Sequence, residues 1–409
     1  MAHQLALTEQ AARSRLDVGF GWLDAEGRID VERGLPLWIN ARMTHVFSLS
    51  VLLGRDGDAD LVDHGLSALR GAFQDGQCGG WYARLDGMGE PTTTAKSAYE
   101  HAFVLLAASS ATLAGRPGAP ELLADAIDVV GEHFWDDGTG AFVEEWDRGW
   151  AKLSDYRGAN ANMHLVEACL AVAGATGDGT WVDRALRVAV RFIDGAAREH
   201  GWRVPEHYGG DFAVLPDYNR DSPADPFRPF GVTPGHGMEW ARLLLHLHAQ
   251  LRLDAQRRLD AQLRLDAPAP TWLVDAAKAL FQRAIEDGWD AERGGFCYTT
   301  DWDGVPVTTS KLHWVVCEAI GAASALYQAS GEVAYRHWEA RFWDYADHAF
   351  IGPTRFGWIH EVDADNRPAT TGTWTGRPDF YHAVQATLIP RLPLAPSMAA
   401  ALAARAFAA

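Results

Sequence analysis

Long runs of apolar residues with almost no polar face alternate along this chain with runs that carry one apolar stripe and a charged back. "SAYEHAFVLLAASSATLAG" and "NMHLVEACLAVAGATG" are apolar on nearly every side, as a helix enclosed by other helices must be. "PELLADAIDVVGEHFWD" and "GTWVDRALRVAVRFIDGA" confine their apolar residues to one stripe, as a helix does when its back meets water. Ahead of each enclosed run stands a short segment of Gly and aromatic residues with an Asp or Gly turn, the pattern of a small hairpin.

These segments recur. "FGWLDAEGRID", "GGWYARLDGMG", "GAFVEEWDRGW", "HGWRVPEHYGG", "GGFCYTTDWDG" and "FGWIHEVDADN" are anchored by Trp22, Trp81, Phe142, Trp202, Phe296 and Trp358, which by subtraction are spaced 59, 61, 60, 94 and 62 residues apart. Six units of one hairpin, one inner and one outer helix predict an all-α fold, a six-hairpin (α/α)6 barrel or toroid with short β-hairpin loops at one end. Residues 1–409 are expected to form this single domain. The wide fourth interval contains "RLDAQRRLDAQLRLDAPAP", a tandem reiteration read as a solvated helical insertion at about 250–270 that ends in a Pro-rich break.

Composition narrows the partners. A formal net charge of −18 argues against a phosphate-backbone partner, so no nucleic acid is expected. No apolar run reaches the length of a spanning helix, and "MAHQLALTEQAARSRLD" lacks the order of a signal peptide, so the expectation is a cytoplasmic protein with no membrane partner, a monomer or homodimer. Cys78, Cys169, Cys297 and Cys317 form no CxxC pair and read as free thiols. Seventeen Trp are many; most fit a core, and the excess suits the lining of a cleft for sugars.

The chemistry lies in the polar residues that begin the apolar inner helices: Arg42, Tyr99 with Glu100, Asn160 with His164, His236 with Glu239, His313 with Trp314 and Glu318, and Asp379 with His382. In a toroid these positions converge on one end of the central cavity. A single histidine on an apolar face is commonly a satisfied core residue, but recurrence at equivalent places in several units weakens that explanation. Asn160 and His164, four apart, share a helical face, as do His236 and Glu239, three apart, a spacing that lets a carboxylate orient an imidazole or share a ligand with it. Three His and a Glu have the donor types for zinc, but no compact pair such as HExxH occurs, so no metal and no cofactor are expected. Two neutral imidazoles facing across a pocket suit proton transfer at neutral pH, for example between C1 and C2 of an open-chain sugar through an enediol, with Arg42 holding the oxyanion. Pro378 and Asp379 of "GRPDFYHAVQATLIP" read as the start of the sixth inner helix.

The blocks "ARMTHVFSLS", "KSAYEHAFVLLA", "RGANANMHLVEA", "PGHGMEWARLLL", "KLHWVVCEAI" and "GRPDFYHAVQATLIP" together resemble the N-acylglucosamine 2-epimerase superfamily, within it the branch of mannose and sulfoquinovose isomerases. The resemblance spans nearly the whole chain. It implies a cofactor-independent aldose–ketose isomerase that interconverts D-mannose and D-fructose, with related aldoses such as D-lyxose, through a cis-enediol. It also implies His382 as the general base and His236 as its ring-opening, acidic partner, with Arg42, Tyr99, Asn160, His164, Glu239 and Trp314 binding the monosaccharide. Animal-type members bind a nucleotide effector, and no phosphate-cradling glycine loop is present here to expect one.

Five readings stay open on sequence. The isomerase stands beside a sugar 2-epimerase of mannose/glucose or cellobiose type and a sulfoquinovose isomerase, for which Arg377 and nearby loop arginines are the candidate C6 cations and are equally surface turn residues. An α/α-barrel glycoside hydrolase would draw an acid–base pair from Glu100, Glu239, Glu318 or Asp379. A non-catalytic sugar-binding toroid would need neither histidine.

Overall fold

The computed structural model describes residues 2–260, 270–352, 354, 356–369 and 372–406. Its inner helices are α2 (Leu37–Leu52), α4 (Ala98–Leu113), α6 (Ala159–Thr176), α8 (Pro234–Asp260), α10 (His313–Ser330) and α12 (Tyr381–Leu388), and outside them lie α1 (Ala2–Ala11), α3 (Ala59–Arg70), α5 (Ala119–Val129), α7 (Thr180–Ala189), α9 (Trp272–Gly288) and α11 (Val333–Ala346). Each inner helix packs on the next, and α12 packs on α2, so the ring closes. The sixth outer place is filled by the N-terminal α1, which packs against α12 and α2, while the last helix, α13 (Met398–Ala406), crosses the ends of α2, α4 and α6. Among the described residues no helix is long and apolar enough to cross a membrane.

The all-round apolar pattern of the inner runs has its reason in this ring: in α4, Ala102 through Ala108 are all buried, because neighbours, outer helices and the cavity floor together leave no face to water. The outer α7 buries Trp181, Val182, Ala185, Val188 and Ala189 and leaves its remaining residues partly or fully in solvent.

At one end of the ring the chain enters each inner helix through a short extended segment bonded to the following unit. Leu35–Pro36 pair with Arg84–Leu85, Lys96–Ser97 with Glu145–Trp146, Arg157–Gly158 with His207–Tyr208, and Lys311–Leu312 with Glu361–Val362. Val232 bridges Thr300, and Arg377 bridges Leu23, which joins the sixth unit to the first. The hairpins predicted within units are therefore also the staples between units. At the last two bridges a glycine precedes the bridging residue for a steric reason: Gly231 (φ +92°) and Gly376 (φ +73°) are left-handed, and a Cβ on either would collide with the backbone carbonyl of Thr300 or Leu23.

Two buried asparagines pin hairpins to their helices. Asn40 accepts the Phe20 N–H at 2.7 Å and donates to Phe20 O and Pro36 O. Asn162 repeats this two repeats later, accepting the Phe142 N–H at 2.9 Å and donating to Phe142 O and Gly158 O. Each amide satisfies backbone groups that burial would otherwise orphan. The reiterated segment begins as the far end of α8, which reaches Asp260; its residues 261–269 lie outside the described residues.

Candidate active site

The staples position the first turns of all six inner helices around one cavity of about 660 Å³, open mouth included. Arg42, Tyr99, Asn160, His164, His236, Glu239, Trp314 and His382 all line it, so the eight residues that the resemblance implied for binding or catalysis reach the same space, whereas Glu100 and Glu318 do not line it. Trp38, Phe227 and Trp374 form an aromatic rim, with Trp38 and Trp374 at 5.9 Å between ring centroids and Phe227 edge-on to both.

Two imidazoles are each held by a carboxylate through Nδ1. His382 Nδ1 lies 3.0 Å from Glu318 Oε1, and His236 Nδ1 lies 2.8 Å from Glu206 Oε1. A neutral imidazole whose Nδ1–H is donated in this way keeps its lone pair on Nε2, the form of a proton acceptor. The Trp314 ring lies beside both imidazoles, its centroid 5.2 Å from that of His236 and 5.9 Å from that of His382. Burial lowers the His382 pKa, and Glu318 only partly opposes it, so the resting ring is neutral. The sequence spacing pointed to Glu239 as a carboxylate able to orient His236. The partner is Glu206 instead, on the entry segment ahead of His207–Tyr208, and Glu239 turns toward His164.

Arg42 is held by donating to Asp379 Oδ2 at 3.0 Å and to the Tyr99 hydroxyl at 3.1 Å, with its guanidinium over the rings of Phe103 and Tyr381. Burial opposes its charge, but Tyr99, Asp379 and Tyr381 outweigh burial and raise its pKa. Its Nε has no acceptor among the described residues. Asp379 does not begin the sixth inner helix as predicted. The helix starts at Tyr381, and Asp379 sits just ahead, accepting the Tyr381 N–H at 2.9 Å while its other oxygen holds Arg42. Arg377 is no surface turn residue and does not line the cavity: it is buried and donates to Phe356 O at 2.6 Å and Thr354 Oγ1 at 3.1 Å.

Below the cavity floor Arg242 on α8 donates to Glu318 Oε2 at 2.8 Å and lies within 4 Å of Glu239 and Glu167. The Tyr381 hydroxyl donates to Glu167. Burial takes His164 down to about 4, and its Nδ1 stands 3.7 Å from both Glu167 and Glu239, too far for a hydrogen bond. His164, Glu167 and Glu239 bring one donor atom each within 4.8 Å, a spacing a metal ion can use. Arg242 already supplies the positive charge those carboxylates face, so they are not assigned as ligands.

Sequence reasoning did not assign Glu206, Glu167 or Arg242 to the site, and it named Glu318 without its role as the carboxylate that holds His382. Glu167 and Arg242 carried a signal, since each follows a site residue by three on an otherwise apolar helix. Glu206 lies in an irregular segment and had none. His313 and His360, their rings tilted by 31° with centroids 3.8 Å apart, also line the cavity beside His382.

Fold and cavity together define an (α/α)6 toroid with two carboxylate-held imidazoles in one pocket. Residues 19–386 match the N-acylglucosamine 2-epimerase (GlcNAc 2-epimerase) family, and the chain belongs to it. It is 48% identical over 394 residues to a D-mannose isomerase of Thermobifida fusca, covering 96% of this chain and 93% of that one. A D-mannose isomerase of Pseudomonas cannabina pv. alisalensis is 46% identical, covering 96% of this chain and 92% of its own. Among solved structures, a crystal structure of D-mannose isomerase superposes with a TM-score of 0.84 at 28% identity, over 95% of this chain and 97% of that one.

Proposed function

We propose that the protein is an aldose–ketose isomerase that interconverts D-mannose and D-fructose, and that the whole chain is one barrel domain on which the reiterated segment is an appendage. The observation that carries the reading is the pair of imidazoles in one cavity, each fixed through Nδ1 by its own carboxylate and each beside Trp314. The relatives' activity sets the sugar.

In this reading His236 assists ring opening by moving a proton to or from the ring oxygen. His382 then takes the proton from C2 of the open-chain aldose and returns it to C1, the electrons passing through a cis-enediol. Arg42, with a free Nε, steadies the negative charge that develops on the carbonyl oxygen. Tyr99, Asn160, His164, Glu239 and Trp314 bind the sugar. Among the described cavity residues the permanent cation is Arg42, and Asp379 neutralises it, which favours an uncharged hexose over a sulfonated one. Three of the four carboxylates a hydrolase would draw on are engaged elsewhere, Glu100 with Ser97, Glu318 with Arg242 and His382, and Asp379 with Arg42, which leaves Glu239 without a free partner for an acid–base pair.

Incubation of purified protein with D-mannose and no added cofactor, followed by separation of the sugars, is expected to yield D-fructose as the main product. D-glucose as the main product would replace the reading with an epimerase, and reducing ends released from a mannoside would replace it with a hydrolase.

A further inference from the structure

Three carboxylates, Glu167, Glu239 and Glu318, meet around the single guanidinium of Arg242, and they do not share it equally. Glu318 accepts Arg242 Nε at 2.8 Å and also faces His382 Nδ1 at 3.0 Å. Glu167 accepts the Tyr381 hydroxyl and lies 3.7 Å from Arg242. Glu239 has a long 3.5 Å contact to Arg242 and stands 3.7 Å from His164 Nδ1, itself unpartnered; of the three, Glu239 alone lines the cavity.

Beyond Arg242, the groups facing Glu239 add only the counter-charge of Arg42 from α2, itself paired with Asp379. From α4 Tyr99 is pushed up to about 12, and from α12 Tyr381 is raised well above the ordinary phenol value, in both cases first by burial, so both phenols stay uncharged; His382 is neutral at rest. Three like charges around one buried cation cannot all ionise, and the carboxyl with the poorest donors keeps its proton. Burial first, then Glu318 and Glu167, hold Glu239 well above the usual carboxylate range against the pull of Arg242 and Arg42. Glu318 goes the other way, Arg242 and His382 overcoming its burial.

We propose that Glu239 is an uncharged carboxylic acid in the working enzyme and donates its proton, in a hydrogen bond, to a hydroxyl or ring oxygen of the sugar in the cavity. The identity of that sugar rests on the isomerase reading; the charge state does not. Because the neutral form is the donor, its contribution is present at neutral pH and is lost as pH rises and Glu239 ionises.

Infrared spectra of the substrate-free protein test the charge state. The wild-type minus Glu239→Gln difference at pH 7 is expected to show one carboxylic-acid C=O band that shifts in D₂O and fades on alkaline titration. Glu100 and Glu144, held up to about 8 and about 7 first by burial, cancel in that difference. A difference spectrum of two folded proteins without an acid band overturns the proposal, whether or not the protein turns over any sugar. The donor role is read on wild type alone, where D-mannose is expected to move the acid band to lower frequency; an unmoved band overturns it. In kinetics, Glu239→Gln, which keeps an uncharged donor, is expected to exceed Glu239→Leu by about tenfold in kcat/KM and to lose the alkaline limb due to Glu239. Equal losses with the same alkaline limb in both contradict the donor.

Discussion

Glu318 Oε1 lies 3.0 Å from His382 Nδ1, and the other oxygen of the same carboxylate is held by Arg242 at 2.8 Å. The carboxylate is thus fixed from two sides and fixes in turn which nitrogen of His382 carries the proton. Glu318→Gln removes the anion and can turn its amide donor toward Nδ1, favouring the opposite tautomer. The expected result is a fall in kcat of about 10²–10⁴-fold with a smaller change in KM, and a shifted acid limb in the pH profile. An unchanged acid limb would show that Glu318 does no more than pack.

The acid limb itself has a predicted direction. His382 serves as a base only when neutral, and burial lowers its pKa. Activity is therefore full above that lowered value and is lost as pH falls through it, so the limb should lie below the ordinary imidazole value of about 6.5. A kcat/KM profile whose acid limb sits above that value would contradict the assignment of His382 as base.

Arg42 splits its donors between Asp379 and Tyr99 while lying over Phe103 and Tyr381. A lysine ammonium cannot reproduce that planar fork, so Arg42→Lys is expected to lower kcat by about 10²–10³-fold although the charge is kept. Steady-state kinetics with D-mannose measures it.

Asn162 is a stability residue rather than a site residue. Asn162→Ala leaves the buried Phe142 N–H and C=O without their amide partner, at a cost of about 1–3 kcal/mol. Denaturant unfolding should show this loss, and Asn40→Ala should behave alike because it makes the same three bonds to Phe20 and Pro36.

The ring was legible because enclosed helices cannot tolerate a wet face, so each inner run had to be apolar throughout and each polar residue in one stood out. Arg42, His164, Glu239 and His382 were visible for that reason. What the pattern could not show was pairing across the ring. Glu318 and Arg242 are 76 residues apart and His236 and Glu206 are 30, with no periodicity linking either pair. Phe227 and Trp374 come from irregular segments, where burial leaves no repeating mark. The hairpins within units were legible, but the entry segments that bond to them were not, because strand pattern reports alternation and turns and not which neighbour accepts the bonds.

Hydrogen-isotope transfer reaches the central claim most directly. With D-mannose in D₂O, the account predicts D-fructose as the main product, with deuterium at C1 of the ketose or at C2 of recovered mannose, and His382→Ala suppressing both turnover and label. An aldose epimer as the main product, or neither carbon labelled over many turnovers, would contradict it.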